Sequence, residues 1–213
     1  MHNQDRLTVY LQERLPKRSN FFLELEKVAA ENHVPIMDPY SMETVLQLLR
    51  LYKPKKILEI GTAIGYSSLR MAECLPDAKI ITIERDEKRV QEAKNNITKA
   101  GKNEQINLLE GDAFALLNEV KKYAPFDFLF IDAAKAQYQR FFEMYEPLVS
   151  DGGLIITDNV LFKGYIYEHK DLPKRQRSLV EKIQKFNDWL LKHPQYDSLI
   201  LPVGDGILVS IKK

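Results

Sequence analysis

The chain has 213 residues, 31 Lys+Arg against 30 Asp+Glu, 45% hydrophobic residues and one cysteine. This suits one large domain and excludes low-complexity disorder, while the lone cysteine excludes an internal disulfide and points to a reducing, cytoplasmic setting. A formal charge of +1 gives no global pull toward nucleic acid, so a polyanion partner would need a local basic patch. No apolar run reaches about 18 residues, and the opening MHNQDRLTVYLQERL lacks the features of a signal peptide, so no membrane association is expected.

In chain order, Leu7 to Leu15 and Asn20 to Asn32 read as two helices, the second stopped near Pro35, and together they form an N-terminal helical extension over 1–36 of a single 213-residue domain. A third helix begins at Ser41, with Val45, Leu48, Leu49 and Tyr52 on one face. From Lys55 onward, five nearly continuous apolar runs read as strands: 55–61, 78–84, 106–111, 126–133 and 153–159. Strands buried on both faces read this way, whereas half-exposed ones alternate. Segments of helical period lie between them: Tyr66 to Leu75, Asp86 to Ala100, Ala113 to Tyr123 and Gln137 to Leu148, with Asp86 and Asp112 placed as N-caps. After a helix over Arg175 to Lys192 come two apolar runs separated by Gly204-Asp205-Gly206, a hairpin turn. The fold class is α/β: a doubly wound, Rossmann-like, mostly parallel sheet with an antiparallel C-terminal hairpin and N-terminal helices.

Ligands of such sheets bind beyond the carboxyl ends of the strands. The first strand runs into Glu59-Ile60-Gly61-Thr62-Ala63-Ile64-Gly65-Tyr66-Ser67, whose glycines are four apart. That spacing is neither the GxGxxG pyrophosphate fingerprint nor a P-loop. Glu59 would repel a diphosphate but tolerate a sulfonium or an amino group, and Glu84, 25 residues on, could accept both ribose hydroxyls. The pattern points to a cationic nucleoside, and S-adenosylmethionine fits. Asp112, or the backbone beside it, could face the adenine. The bland alternative makes the glycines packing devices and the acids helix caps.

The fourth and fifth strands end in Asp132-Ala133-Ala134-Lys135 and Asp158-Asn159. Neighbouring strands lie roughly 5 Å apart, so two carboxylates and an amide can converge, an all-oxygen set suited to Mg²⁺. Taken singly, either aspartate could be a cap or turn residue. His2, His33, His169 and His193 are scattered and offer no further ligand. Lys135 would project over the same crevice; its ordinary fate is solvation, but a nearby divalent cation would favour its neutral form and make it a candidate base.

At these residues the chain resembles the cation-dependent, catechol-type O-methyltransferases, class I S-adenosylmethionine enzymes, through ILEIGTAIGYSSLRMA, IITIERD, LLEGDA, FDFLFIDAAKAQY and GGLIITDNVLFKG. The resemblance implies that Asp132, Asp158 and Asn159 bind a divalent metal such as Mg²⁺ and that Lys135 acts as or assists the general base, with Asp132 beside it. It further implies that Met37, Glu59, Gly61, Ser67, Glu84, Asp112, Ala113 and Asp132 surround the S-adenosylmethionine. Ala63 stands where some animal members carry an aromatic residue, so one cofactor contact would be missing. Along its whole length the chain looks most like the bacterial tRNA 5-hydroxyuridine methyltransferases, which implies wobble-base methylation in the tRNA anticodon loop. Members of this type are commonly homodimers, and the N-terminal helices with Phe21, Phe22 and Leu25 could supply an interface, cover the cofactor or pack on the sheet.

Two basic runs could receive phosphates: Arg14, Lys17 and Arg18, and Lys163, Lys170, Lys174, Arg175 and Arg177, the latter with Tyr165 and Tyr167 available for stacking. Alternatively these charges merely solvate loops. A small-molecule catechol or phenylpropanoid methyltransferase would share the same site. A dinucleotide-binding oxidoreductase, or a silent nucleoside-binding module, is disfavoured by the GxxxG spacing and by a metal triad it would not use.

Overall fold

The computed structural model describes residues 3–168 and 172–213; His2, His169 and Lys170 lie outside the described residues. Three helices, α1 (Asn3–Gln12), α2 (Asn20–Glu31) and α3 (Pro39–Tyr52), precede an alternating series. That series runs β1 (Lys56–Ile60), α4 (Tyr66–Cys74), β2 (Lys79–Glu84), α5 (Glu87–Lys99), β3 (Ile106–Glu110), α6 (Leu117–Val120), β4 (Phe126–Ile131), α7 (Tyr138–Tyr145) and β5 (Val149–Thr157). The chain closes with α8 (Lys174–Leu191), β6 (Tyr196–Leu201) and β7 (Ile207–Lys212).

The sheet order is β3-β2-β1-β4-β5-β7-β6, parallel through β5, with β7 antiparallel to both β5 and β6. Strand growth therefore reverses between β1 and β4, the topological switch point. Side chains leave alternate faces of each strand. Ile57, Ile80, Ile106, Phe128 and Leu154 meet α2, α3 and α4 on one side. Leu58, Ile81, Leu129 and Ile155 meet α7 and α8 on the other.

Local chemistry sets the element ends. Asp38 caps α3 by accepting from the Tyr40 and Ser41 amides at 3.0 and 3.1 Å, with Pro39 at the first helical position where its missing N–H costs nothing. Asp86 caps α5 as expected, accepting from Arg89 N at 2.9 Å. Asp112 does not cap a helix. It accepts from Phe114 N at 2.8 Å in a tight turn, and the helix expected over Ala113 to Tyr123 shrinks to Leu117–Val120 plus one 3₁₀ turn. The physical reason lies in Phe114, whose ring stacks on Phe141 at 4.6 Å and holds Ala113 to Leu116 out as a loop.

The first helix also ends earlier than its apolar spacing suggested, at Gln12, and Arg14 folds back over the Tyr10 ring at 3.5 Å. Phe22 and Leu25 are buried inside the fold, Phe22 edge-on to Tyr66 at 6.1 Å, and Phe21 packs half-buried against the same core. The exposed apolar side chains of α1 and α2 are instead Leu7, Val9, Tyr10, Leu23 and Val28. Among the described residues no helix is long and apolar enough to cross a membrane.

Beneath α7 and α8, Phe142 is fully buried and meets Trp189 at 5.5 Å, Tyr196 at 5.1 Å and Phe186 at 6.1 Å, all edge-on. Truncation here removes a large buried ring and leaves a cavity, so Phe142→Ala should cost about 3–5 kcal/mol. Urea denaturation with an unchanged m-value would measure it; a loss under 1 kcal/mol would mean that this aromatic cluster does not hold the helices to the sheet.

Candidate active site

At the switch point the loop after β1 lies against the loop after β4. Gly61 has φ +103°, and a Cβ built there would come within 2.0 Å of the Asp132 carbonyl oxygen, so only glycine lets the two strand ends approach this closely. Gly65, at φ +86°, turns the chain into α4. Between the loops lies a cavity of about 600 Å³ at the carboxyl ends of the parallel strands. Its volume falls in the range of small-molecule sites.

Met37, Gly61, Ser67, Glu84, Asp112, Ala113, Asp132, Lys135, Asp158 and Asn159 all line this one cavity. Glu59 does not. It is fully buried behind the glycine loop, where it accepts from the hydroxyls of Ser67 and Ser68 and from Thr82 Oγ1 at 2.5 Å. Burial pushes its carboxyl up to about 7 despite these three hydrogen bonds, with the Asp132 charge adding to the rise. When Glu59 is ionised, Ser67 spends its one proton on it, presents only lone pairs to the cavity and can accept from an ammonium or amide. Thr82 donates to the same ionised carboxylate, which then leaves the Thr62 hydroxyl in the cavity wall as donor in the 2.6 Å Thr62–Thr82 contact. Glu59 thus acts on the cavity by orienting hydroxyls.

The Glu84 carboxylate fixes the opposite wall. It accepts from Ala63 N at 2.8 Å through Oε2, and from Arg85 N and Asp86 N at 2.8 and 2.9 Å through Oε1. Three amides hold its orientation, and Oε2 keeps a lone pair for a ligand hydroxyl. Beyond it, Asp112 lies 3.7 Å from Arg85.

The acidic end is drier. Asp158 is 2% exposed and accepts from the Asn159 backbone amide at 2.7 Å and from Asn159 Nδ2 at 3.0 Å. Asn159 adopts φ +57°, which turns its side chain back over Asp158, and its Oδ1 accepts from Lys135 Nζ. Among the described residues no donor reaches the Asp132 carboxylate. Burial raises both acids, Asp158 well above the carboxylate range because Asp132 adds like-charge repulsion, while Lys135 opposes the rise in each. Two carboxylates raised by burial, with one amide oxygen beside them, form an all-oxygen set whose chemistry would fit a hard divalent ion with open positions for further oxygens. Among the described residues no group of three carboxylates, imidazoles or thiols forms a metal cluster, so the third protein donor would have to be the Asn159 amide.

Sequence reasoning missed Tyr66, Phe114, Arg140 and Phe141, which also line the cavity. Arg140 lies over the Phe114 ring at 4.2 Å, capping the Phe114–Phe141 stack. These residues carry no motif; two apolar side chains beside Asp112 and on the α7 face were the available signal.

The two basic runs differ. Arg18 is committed to Glu26 at 2.7 Å and is largely buried, so it is not open to a phosphate; Arg14 and Lys17 are exposed. Lys163 lies four residues after Asn159, on a segment pinned by the β6–β7 turn through Leu161 N to Asp205 O at 2.7 Å and Lys163 N to Asp205 Oδ1 at 3.2 Å. Lys163, Lys174, Arg175 and Arg177 are exposed, as is Tyr167, whereas Tyr165 packs edge-on to Phe162 at 5.8 Å.

Comparison with known proteins gives consistent relatives. The O-methyltransferase family model matches residues 12–213. A caffeoyl-CoA O-methyltransferase of Medicago sativa is 32% identical over 203 residues, covering 91% of this chain and 82% of its own length. A Staphylococcus aureus structure provisionally assigned as a caffeoyl-CoA O-methyltransferase superposes with a TM-score of 0.89 at 39% identity, over 99% of each chain. An O-methyltransferase of Bacillus cereus, solved with S-adenosylhomocysteine, gives 0.85 at 27% identity, over 98% of this chain and 97% of its own.

Glu59 predicts a pH signature. Its carboxyl rises from 4.5 to about 7 on folding, so folding takes up a proton between those values. Its contribution to stability is complete below about pH 4.5 and is lost as pH rises through about 7, up to roughly 3 kcal/mol. In urea titrations across this window, Glu59→Gln should show a shallower fall of stability with pH than the parent. Equal slopes would place the titration elsewhere.

Proposed function

The chain belongs to the O-methyltransferase family, and from that premise we propose that it transfers the methyl of S-adenosylmethionine to the 5-hydroxyl of 5-hydroxyuridine at the tRNA wobble position, giving 5-methoxyuridine. That it is an S-adenosylmethionine-dependent O-methyltransferase follows from the family and from relatives such as the S-adenosylhomocysteine complex. The metal and the acceptor are the proposed part.

The cofactor would lie along the glycine loop, with Ser67 accepting from its amino group, Glu84 Oε2 accepting from the ribose, and Asp112, Ala113 and Phe114 around the adenine. Asp132, Asp158 and the Asn159 amide would hold a divalent cation, Mg²⁺ or a similar ion, which when bound would lower the acceptor hydroxyl's pKa and fix its ring. In 5-hydroxyuridine the O4 carbonyl and 5-hydroxyl are adjacent oxygens on a flat ring, so they present the same chelating edge as a catechol. Lys135, whose Nζ lies at Asn159 Oδ1 in the cavity wall, would take the hydroxyl proton. The acceptor oxygen then attacks the methyl carbon in line as the carbon–sulfur bond breaks, and positioning supplies most of the acceleration.

The observation that carries the tRNA assignment is the exposed cationic segment leaving the site: Lys163, four residues after Asn159, then Tyr167, Lys174, Arg175 and Arg177. Phosphates could lie on the cations and a splayed base on Tyr167, and a wobble base, being in a single-stranded loop, can enter a pocket. A second reading, a small phenolic acceptor, is favoured by relatives named for caffeoyl-CoA and by a cavity that would hold any vicinal dioxygen ring.

Labelled methyl transfer separates the two readings. Incorporation into tRNA carrying 5-hydroxyuridine is expected, and turnover of caffeic acid or a catechol with none into tRNA would overturn the assignment. Lys163→Glu with Arg175→Glu should raise KM for tRNA at least tenfold and leave a catechol's KM unchanged. Asp158→Ala, or EDTA, should abolish transfer; retained activity in EDTA would remove the metal from the mechanism.

A further inference from the structure

A connected set of charges outside the acidic centre lies between the N-terminal helices and α4. Arg18 pairs with Glu26 at 2.7 Å, and Tyr66 donates to the same Glu26 Oε1 at 2.7 Å. Arg70 donates from Nη1 to the Tyr66 hydroxyl at 3.0 Å and from Nη2 to Glu43 Oε2 at 3.0 Å, while Arg50 donates to Glu43 Oε1 at 2.6 Å. Tyr66, Arg70 and Glu43 are 1%, 4% and 8% exposed. Charges this deep cost more in desolvation than most ion pairs return, so their connectivity is informative.

That connectivity brackets one segment. Pro35, Ile36 and Met37 form a wall of the cavity and join α2 to α3. Glu26 on α2, before this segment, and Glu43 on α3, after it, land on Tyr66 and Arg70 of a single helix. That helix, α4, begins at the end of the glycine loop, and its first two residues, Tyr66 and Ser67, form part of the facing wall. Phe22 packs edge-on to Tyr66 and lies 5.2 Å from the Arg70 guanidinium, closing the same junction.

We propose that Glu26, Glu43 and Arg70, acting through the Tyr66 hydroxyl, are positioning residues: a brace that sets the gap between the Pro35–Met37 wall and the glycine loop and thereby sets affinity for the cofactor. None of Glu26, Glu43 or Arg70 lines the cavity. The brace acts by removing freedom from the wall before the ligand arrives, so losing it makes binding carry that ordering.

The test is calorimetric titration with S-adenosylhomocysteine, at a temperature well below each variant's Tm. Glu26→Leu removes the acceptor that Tyr66 and Arg18 share, and Tyr66→Phe removes the hydroxyl while keeping the ring. Each should raise Kd about tenfold, or about 1.4 kcal/mol. Glu26→Gln, which keeps an acceptor for Tyr66, should stay within threefold. Because Glu26→Leu and Tyr66→Phe cut the same link, the double variant should bind no more than about threefold worse than either single. A Kd within twofold of the parent in Tyr66→Phe, with Tm lowered, would overturn the proposal by showing that the network only ties helices together. Additive losses in the double variant would overturn it as well. If Glu26→Leu does not fold, Tyr66→Phe and Glu26→Gln decide the matter alone.

Discussion

The contact between Gly61 and the Asp132 carbonyl is the constraint from which the site follows. Strand order reverses between β1 and β4, so the two loops leaving them must diverge to opposite faces while their first residues stay a strand spacing apart. Any Cβ at position 61 would fall 2.0 Å from that carbonyl and force the strand ends apart. Glycine removes the obstruction and supplies φ +103°, and the crevice this opens is the cavity. The same contact puts the Asp132 side chain at the cavity's edge, next to Asp158 one strand further along, because β5 pairs with β4 in parallel. A fold-level accident of winding order thus brings the Glu84 wall and an acidic pair to the edges of one cavity.

Burial of charge is the second theme, and three solutions to it occur within one domain. Glu59 is surrounded by three hydroxyls, which limit the rise of its carboxyl without cancelling it. Glu43 is matched with two guanidinium groups. Asp132 and Asp158 have neither remedy in full: the amides of Asn159 serve Asp158, Lys135 acts on both from a distance, and their mutual repulsion remains. The first two arrangements are satisfied from within the protein and serve as scaffolding. The third is left in deficit of positive charge, which is the physical mark of a place where a cation or a proton is needed.

Strands β1, β2, β4 and β5 were legible because burial on both faces erases alternation; β3, at the sheet edge, buries only Ile106 and was legible from its apolar run alone. The acids at their carboxyl ends were legible for the same reason: once a strand's end is fixed, the next residue is placed at the crevice. Glu59 was misplaced relative to the cavity because its position on β1 fixes which face it leaves, and that face is covered by α4 with Ser67 and Ser68. The helix after Asp112 was overextended because a periodic apolar pattern cannot reveal that Phe114 has left the period to stack on Phe141. The brace was invisible for a more general reason. Arg18, Glu26, Glu43, Arg50 and Arg70 look like ordinary polar positions of amphipathic helices, and only the packing of α2 and α3 against α4 turns them into partners.

The formal charge of +1 takes a different meaning once the charges have places. An average over the chain would describe the field felt by a partner only if acids and bases were mixed on the surface. Here Glu59, Glu43 and Asp158 are withdrawn from solvent, whereas Lys163, Lys174, Arg175 and Arg177 project into it. Screening confines what an approaching polyanion senses to roughly 8–10 Å at physiological ionic strength, so it meets the local loop and little of the net charge. Filling the acidic deficit with a divalent ion and a sulfonium would shift the balance at the cavity further toward positive. The field that steers an acceptor would then depend on whether the site is already loaded, and near-neutral composition places little constraint on the acceptor's charge.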